Sequence, residues 1–283
     1  MNEVAVITGT THGIGRVTSR GLAIAGRTVV MLCRDVQAGN VVRDEITEQV
    51  PGATVHVVHC DLASLVSVRN SADVVRRTFG PIGLLINNAG MVSSRHRMSE
   101  DGFELTFATN HLGPFLLTAL LSDRLNETAR VINVASRAHY RGRIDFRRIT
   151  DPRARYSGVA AYAQSKLANV LHTFALARRL SGTRVCANCL HPGVVATNLL
   201  PRWLRVVKPL ISRVIFNSER GARTSVGGDR ARSNEPLNPL RFFVARVVHG
   251  CDWAARACGG GHSPPGRPPF ALLRPDRPRG GST

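Results

Sequence analysis

Between residues 4 and 190, short apolar runs alternate with stretches of helical length, and this alternation constrains the fold more than any other feature. The apolar runs fall at residues 4–8, 28–33, 54–58, 82–86, 130–135 and 183–190. Helical stretches lie between them, one ending near Ala25 and others at 36–50, 64–79, 101–124 and 157–180. Near-continuous apolar strands are buried on both faces. Repeated strand–helix units set the strands in parallel and put helices on both sides of the sheet. Right-handed crossovers leave the doubly wound arrangement as the simplest outcome. The segment 101–124 is expected to be one long helix, bent at Gly113-Pro114.

The pattern holds over residues 1–225 and then fails. Residues 226–283 carry eight of the 15 prolines and nine of the 26 glycines. Runs such as Gly259-Gly260-Gly261 and Pro264-Pro265-Gly266-Arg267-Pro268-Pro269 cannot build a packed element, so an irregular, largely disordered C-terminal tail is expected. Its one convincing apolar stretch, 240–248, is the candidate for a last strand. Just before the tail, 199–216 reads as an amphipathic helix. Trp203, Leu204, Val207, Leu210, Ile211, Val214 and Ile215 share one side, and Arg202, Arg205, Lys208 and Arg213 the other. Two readings stand side by side: a helix packed on the core, or a lid over an apolar pocket in contact with a membrane surface.

The formal net charge of +19 invites a nucleic-acid reading. The arginines are scattered and aromatics make up 5% of the chain, so the basic stripe with interleaved aromatics is missing and no specific nucleic-acid partner is expected. No apolar run approaches the roughly 20 residues that span a bilayer. The chain enters its first strand without a basic leader. A cytoplasmic location is the default, with membrane association through 199–216 as its variant. Cys186-Ala187-Asn188-Cys189 has C-x-x-C form, but on a strand its thiols face opposite sides. No metal site is expected, and the six cysteines read as structural thiols.

The residues that carry chemistry cluster at strand ends. After the first strand comes Thr8-Gly9-Thr10-Thr11-His12-Gly13-Ile14-Gly15. Its glycines let backbone N–H groups approach a pyrophosphate, and the following helix turns its N-terminus toward the phosphates. Asn87-Asn88-Ala89-Gly90 follows the fourth strand, and Ser136 follows the fifth. Ligands of open α/β sheets sit beyond such carboxyl ends. Only two of the 38 basic residues are lysines, and one of them, Lys166, stands four residues after Tyr162. Positions four apart share a helix face. An ammonium there favours the phenolate and lowers a tyrosine pKa toward the range of a general acid/base.

These motifs together resemble the short-chain dehydrogenase/reductase family over residues 4–225, with a Rossmann-type fold. Cys33-Arg34-Asp35, Asn110-His111-Leu112-Gly113, Ser165-Lys166-Leu167-Ala168-Asn169 and His191-Pro192-Gly193-Val194-Val195 are similar to its retinol dehydrogenase-like branch. The resemblance implies a catalytic tetrad of Asn110, Ser136, Tyr162 and Lys166. Tyr162 would be the general acid/base and Ser136 would hold the same substrate oxygen. Lys166 would lower the tyrosine pKa and bind the nicotinamide ribose, and Asn110 would hold a relay water. It also implies cofactor contacts from Gly9, His12, Gly13, Ile14, Gly15, Asn88, Ala89, Gly90, Pro192, Gly193 and Thr197, with Asp61 and Leu62 near the adenine.

The end of the second strand bears on cofactor choice. The family's discriminating acid stands one place before an arginine, where this chain has Cys33. Arg34 is then available to clamp a 2′-phosphate, and His12 adds a basic side chain nearby. NADP(H) is the expected cofactor and NAD(H) the alternative, for which Asp35 lies at the right distance from the glycines. A lipophilic alcohol or carbonyl is the expected substrate, and an oligomer is compatible with the family. The competing reading is a non-catalytic or impaired dinucleotide-binding protein, because the C-terminal region departs from the family pattern.

Overall fold

The computed structural model describes residues 3–192 and the backbone of Val248–His249. Six strands run parallel: β1 (Val4–Thr8), β2 (Thr28–Cys33), β3 (Val55–His59), β4 (Ile82–Asn87), β5 (Leu125–Val134) and β6 (Cys186–Leu190). A two-residue β7 (Val248–His249) pairs antiparallel with β6. The order is β3-β2-β1-β4-β5-β6-β7. It reverses direction between β1 and β4, which makes the crevice beyond their carboxyl ends the topological switch point. Of the candidate last strand at 240–248, only Val248 belongs to β7; the rest of it, the helix expected at 199–216 and the remainder of the tail lie outside the described residues.

Alternation along the strands builds two cores. Ala5, Ile7, Val29, Met31, Leu84 and Ile86 pack on one face against Leu22 of α1 (Gly13–Ile24) and Val42 and Ile46 of α2 (Val36–Gln49). Val6, Val30, Leu32, Leu85 and Val131 pack on the other. Their partners are Val68, Ala72 and Val75 of α3 (Leu65–Thr78) and, further along the chain, Leu117, Leu121 and Leu176. This is the doubly wound arrangement expected from the strand–helix alternation.

The expected long helix at 101–124 is instead four pieces: α4 (Leu105–Phe107), a π-helical turn (Ala108–Leu112), α5 (Gly113–Leu121) and a 3-10 turn (Ser122–Arg124). The start is late because Glu104, 2% exposed, is the cap; its two oxygens accept from the Thr106 and Phe107 amides at 2.9 and 2.8 Å. The break precedes the bend expected at Gly113-Pro114. Pro114 has no N–H, so an α-helical bond back to the Asn110 carbonyl cannot form, and the chain widens into a π-turn just before it. A short α6 (Phe146–Thr150) leads to the long α7 (Gly158–Arg179), capped by Ser157.

A buried polar ladder ties these pieces under the crevice. Asn87 Nδ2 donates to Thr118 Oγ1 at 2.9 Å and to Asn133 Oδ1 at 2.8 Å. Asn133 Nδ2 donates to Thr173 Oγ1 at 2.9 Å. One chain of bonds thus joins α5, β4, β5 and α7. Each link is costly to break, because an orphaned partner would stay buried.

Candidate active site

The glycine turn closes on the segment after β4. Gly9 and Gly13 hold φ of +70° and +61°, a region that favours glycine. A Cβ on Gly9 would stand 2.7 Å from the Ala89 Cα, and one on Gly15 would stand 2.1 Å from the Gly9 carbonyl oxygen. Thr8 Oγ1 accepts from the Asn88 and Ala89 amides, both at 3.0 Å. Asn88 Nδ2 donates to the Thr8 and Gly9 carbonyls at 2.8 and 3.0 Å. The expected cofactor residue Asn88 therefore has its amide nitrogen committed to the turn itself, which it braces.

The first turn of α1 is prepared for an anion. Side chains cap α2, α3 and α7, whereas His12 at the α1 N-cap makes no side-chain cap bond and no acidic residue lies in that first turn. Its N–H groups keep their capacity for phosphate oxygens. His12 is exposed, its Nδ1 2.9 Å from Thr11 Oγ1, while Ile14 and Gly15 are buried.

At the end of β2, Cys33 is buried with its thiol 2.8 Å from Thr10 Oγ1, and burial raises its pKa. Arg34 is exposed and makes no hydrogen bond or ion pair among the described residues. Asp35 caps α2, accepting from the Ala38 amide at 2.9 Å. Asp61 stabilises its own turn, accepting from the Ala63 amide at 2.9 Å. Leu62, expected near the adenine, sends its side chain into the core below the crevice.

Ser136 follows β5, and α7 brings Tyr162 and Lys166 against it. Lys166 is 3% exposed. Its Nζ donates to the Val134 carbonyl at 2.8 Å and lies 5.6 Å from the Tyr162 ring centroid. Burial lowers the Lys166 pKa to about 8. Burial also raises the Tyr162 pKa, and hydrogen bonding with Ser136 works against that rise. The ammonium lies over the ring and gives one of its three N–H groups to the Val134 carbonyl.

Asn110, fully buried on the π-turn, holds Met91 from both sides. Its Oδ1 accepts from the Met91 amide at 2.8 Å, and its Nδ2 donates to the Met91 carbonyl at 2.9 Å and to Ser165 Oγ at 3.0 Å. Both amide protons are used, so a relay water at Asn110 has only oxygen lone pairs to bind. Gly90 opens the space beside it: a Cβ there would lie 3.3 Å from Lys166 Nζ and 3.7 Å from Asn110 Oδ1. Pro192 is buried beyond β6, and Gly193 and Thr197 lie outside the described residues.

Thr8, Ser165, Asn169 and the Val134 carbonyl support the site but were not singled out as site residues from sequence. A signal existed for Thr8, which stands at a strand end against a glycine turn. Backbone carbonyls carry no sequence signal at all. Cys186 and Cys189 lie on β6, and Cys189 is a buried free thiol. Among the described residues, no helix is long and apolar enough to cross a membrane.

Known proteins share this architecture. Residues 3–205 match the family model described as short chain dehydrogenase. Retinol dehydrogenase 13 of Homo sapiens is 43% identical over 199 residues, covering 70% of this chain and 60% of that protein. Retinol dehydrogenase 12 of Homo sapiens is 41% identical over 244 residues, covering 85% and 77%. The chain thus spans less than two thirds of the first relative's length. A crystal structure of an uncharacterized protein from Mycobacterium paratuberculosis is 36% identical and superposes with a TM-score of 0.66, covering 83% of this chain and 78% of that one.

Proposed function

The chain belongs to the short-chain dehydrogenase family, on its retinol dehydrogenase-like branch, and we propose that it transfers a hydride between NADP(H) and a lipophilic alcohol or carbonyl. The observation that carries this reading is the convergence of Ser136, Tyr162 and Lys166 beside the side-chain-free Gly90, at the switch point of the sheet.

The residues present suit a dinucleotide. The open first turn of α1 and the glycine turn suit its pyrophosphate. Arg34 suits a 2′-phosphate, since its fork has no partner among the described residues, whereas the competing Asp35 carboxylate is engaged as a helix cap. When bound, the cofactor gives or takes the hydride. Tyr162 gives a proton to the carbonyl oxygen in reduction and takes it from the alcohol in oxidation. Ser136 holds the same oxygen and fixes the distance over which that proton moves. Lys166 binds ribose hydroxyls, and its proximity to neutrality suits proton exchange with the phenol. The apolar composition of 199–216 and the relatives' names favour a lipophilic substrate.

The test is NADPH oxidation by the purified full chain over a panel of apolar aldehydes and ketones, repeated with NADH. Turnover with NADPH favoured is expected. NADPH binding without turnover on any member would overturn the enzymatic reading in favour of an impaired dinucleotide-binding protein.

A further inference from the structure

Pro114 leaves the Asn110 carbonyl without its α-helical donor, because the residue four places on has no N–H. A buried carbonyl in that position needs another partner. Asn169 of α7 supplies it: its Nδ2 donates to the Asn110 carbonyl oxygen at 3.0 Å. Asn169 is 6% exposed and Asn110 is fully buried, so water is a poor substitute for this bond.

The orientation of the Asn169 amide is itself fixed. Its Oδ1 lies 3.0 Å from His111 Nδ1. An amide oxygen only accepts, so His111 carries its proton on Nδ1 and donates. The imidazole is held between Phe107, at 5.1 Å between ring centroids, and His172, at 6.0 Å. Burial lowers the His111 pKa, which keeps the ring neutral. A chain of hydrogen bonds therefore runs His111–Asn169–Asn110–Met91, ending one residue from Gly90.

We propose that Asn169, oriented by His111, is a positioning residue for the tetrad: it replaces the donor that Pro114 lacks and so holds the π-turn that aims Asn110 at Met91. This rests on the oxidoreductase reading above. It also explains why two motifs far apart in sequence, Asn110-His111 and Lys166-Leu167-Ala168-Asn169, occur together: each supplies half of one buried contact.

The test uses the full chain. Asn169→Asp keeps an acceptor for His111 but sets a carboxylate oxygen against the Asn110 carbonyl. It is expected to lower kcat by roughly ten- to a hundredfold with the KM for NADPH nearly unchanged, since the glycine turn and Arg34 are untouched. His111→Phe, a milder variant should Asn169→Asp fold poorly, is expected to lower kcat less. His111→Gln, which keeps an N–H donor, should restore most of the activity. Amide hydrogen exchange at Met91 reads the same contact without turnover. It should quicken in Asn169→Asp and His111→Phe but not in His111→Gln. An inactive wild type would overturn the enzymatic reading and leave the exchange measurement to decide the positioning role. An active wild type with unchanged kcat in both Asn169→Asp and His111→Phe, or unchanged Met91 exchange in them, would overturn the positioning role.

Discussion

The Lys166 ammonium lies 5.6 Å from the Tyr162 ring centroid and gives a hydrogen bond to the Val134 carbonyl. A buried cation with a single protein acceptor among the described residues is destabilising, since burial penalises the charged form. That penalty is visible in its pKa, lowered to about 8 from 10.5.

Replacing this lysine should therefore separate stability from activity. The folded pKa is below the unfolded one, so the penalty is fully present below pH 8 and disappears as pH rises through 10.5. Lys166→Met is expected to be inactive yet more stable than wild type at pH 7, by up to about 3 kcal/mol at ~1.4 kcal/mol per pK unit. The gap should close toward pH 10.5. The buried thiols are common to both proteins, so their ionisation cancels in the comparison. Urea unfolding of both proteins at pH 7 and above pH 10 checks this.

Gly90 should tolerate no side chain without loss of function. Gly90→Val would fill the space between Lys166 and Asn110, where even a Cβ comes within 3.3 Å of Nζ. A fall in kcat/KM of roughly a hundredfold is expected, as for an ångström-scale misplacement of reacting groups. Gly90 is exposed, so the melting temperature should barely move. Steady-state kinetics beside thermal unfolding would show the two effects apart.

Arg34 should govern the choice between cofactors. Arg34→Ser removes a charged donor, and hydrogen bonds to charged groups contribute about 1.5–3 kcal/mol. The KM for NADPH should rise roughly ten- to a hundredfold, with the KM for NADH unchanged. An equal rise for both cofactors would mean that Arg34 does not touch a 2′-phosphate.

Most of the framework could be read before any coordinates. The near-continuous apolar runs are strong because both sheet faces are buried, and the motifs at strand ends fall where the switch point brings ends together. The bend near Gly113-Pro114 was legible as a missing N–H, but not its consequence. The helix break became a π-turn, and the carbonyl it freed found a partner 59 residues away, in Asn169. Asn88 looked like a ligand contact because amides serve either role; only the closeness of Thr8 and Gly9 shows where its nitrogen goes. The pairing of Tyr162 with Lys166 was legible from spacing. The direction of the Lys166 proton was not, because it depends on a backbone carbonyl from another element.

Tyr162→Phe tests the proposed chemistry most directly. The substitution removes one hydroxyl and leaves the half-buried ring in place. Wild type and variant would be compared for NADPH binding by fluorescence and for turnover of the best aldehyde on the panel. NADPH binding is expected to persist while kcat falls by about 10²–10⁴, the usual contribution of a positioned general acid. Wild-type turnover in the variant would contradict the assignment of Tyr162 as the proton donor.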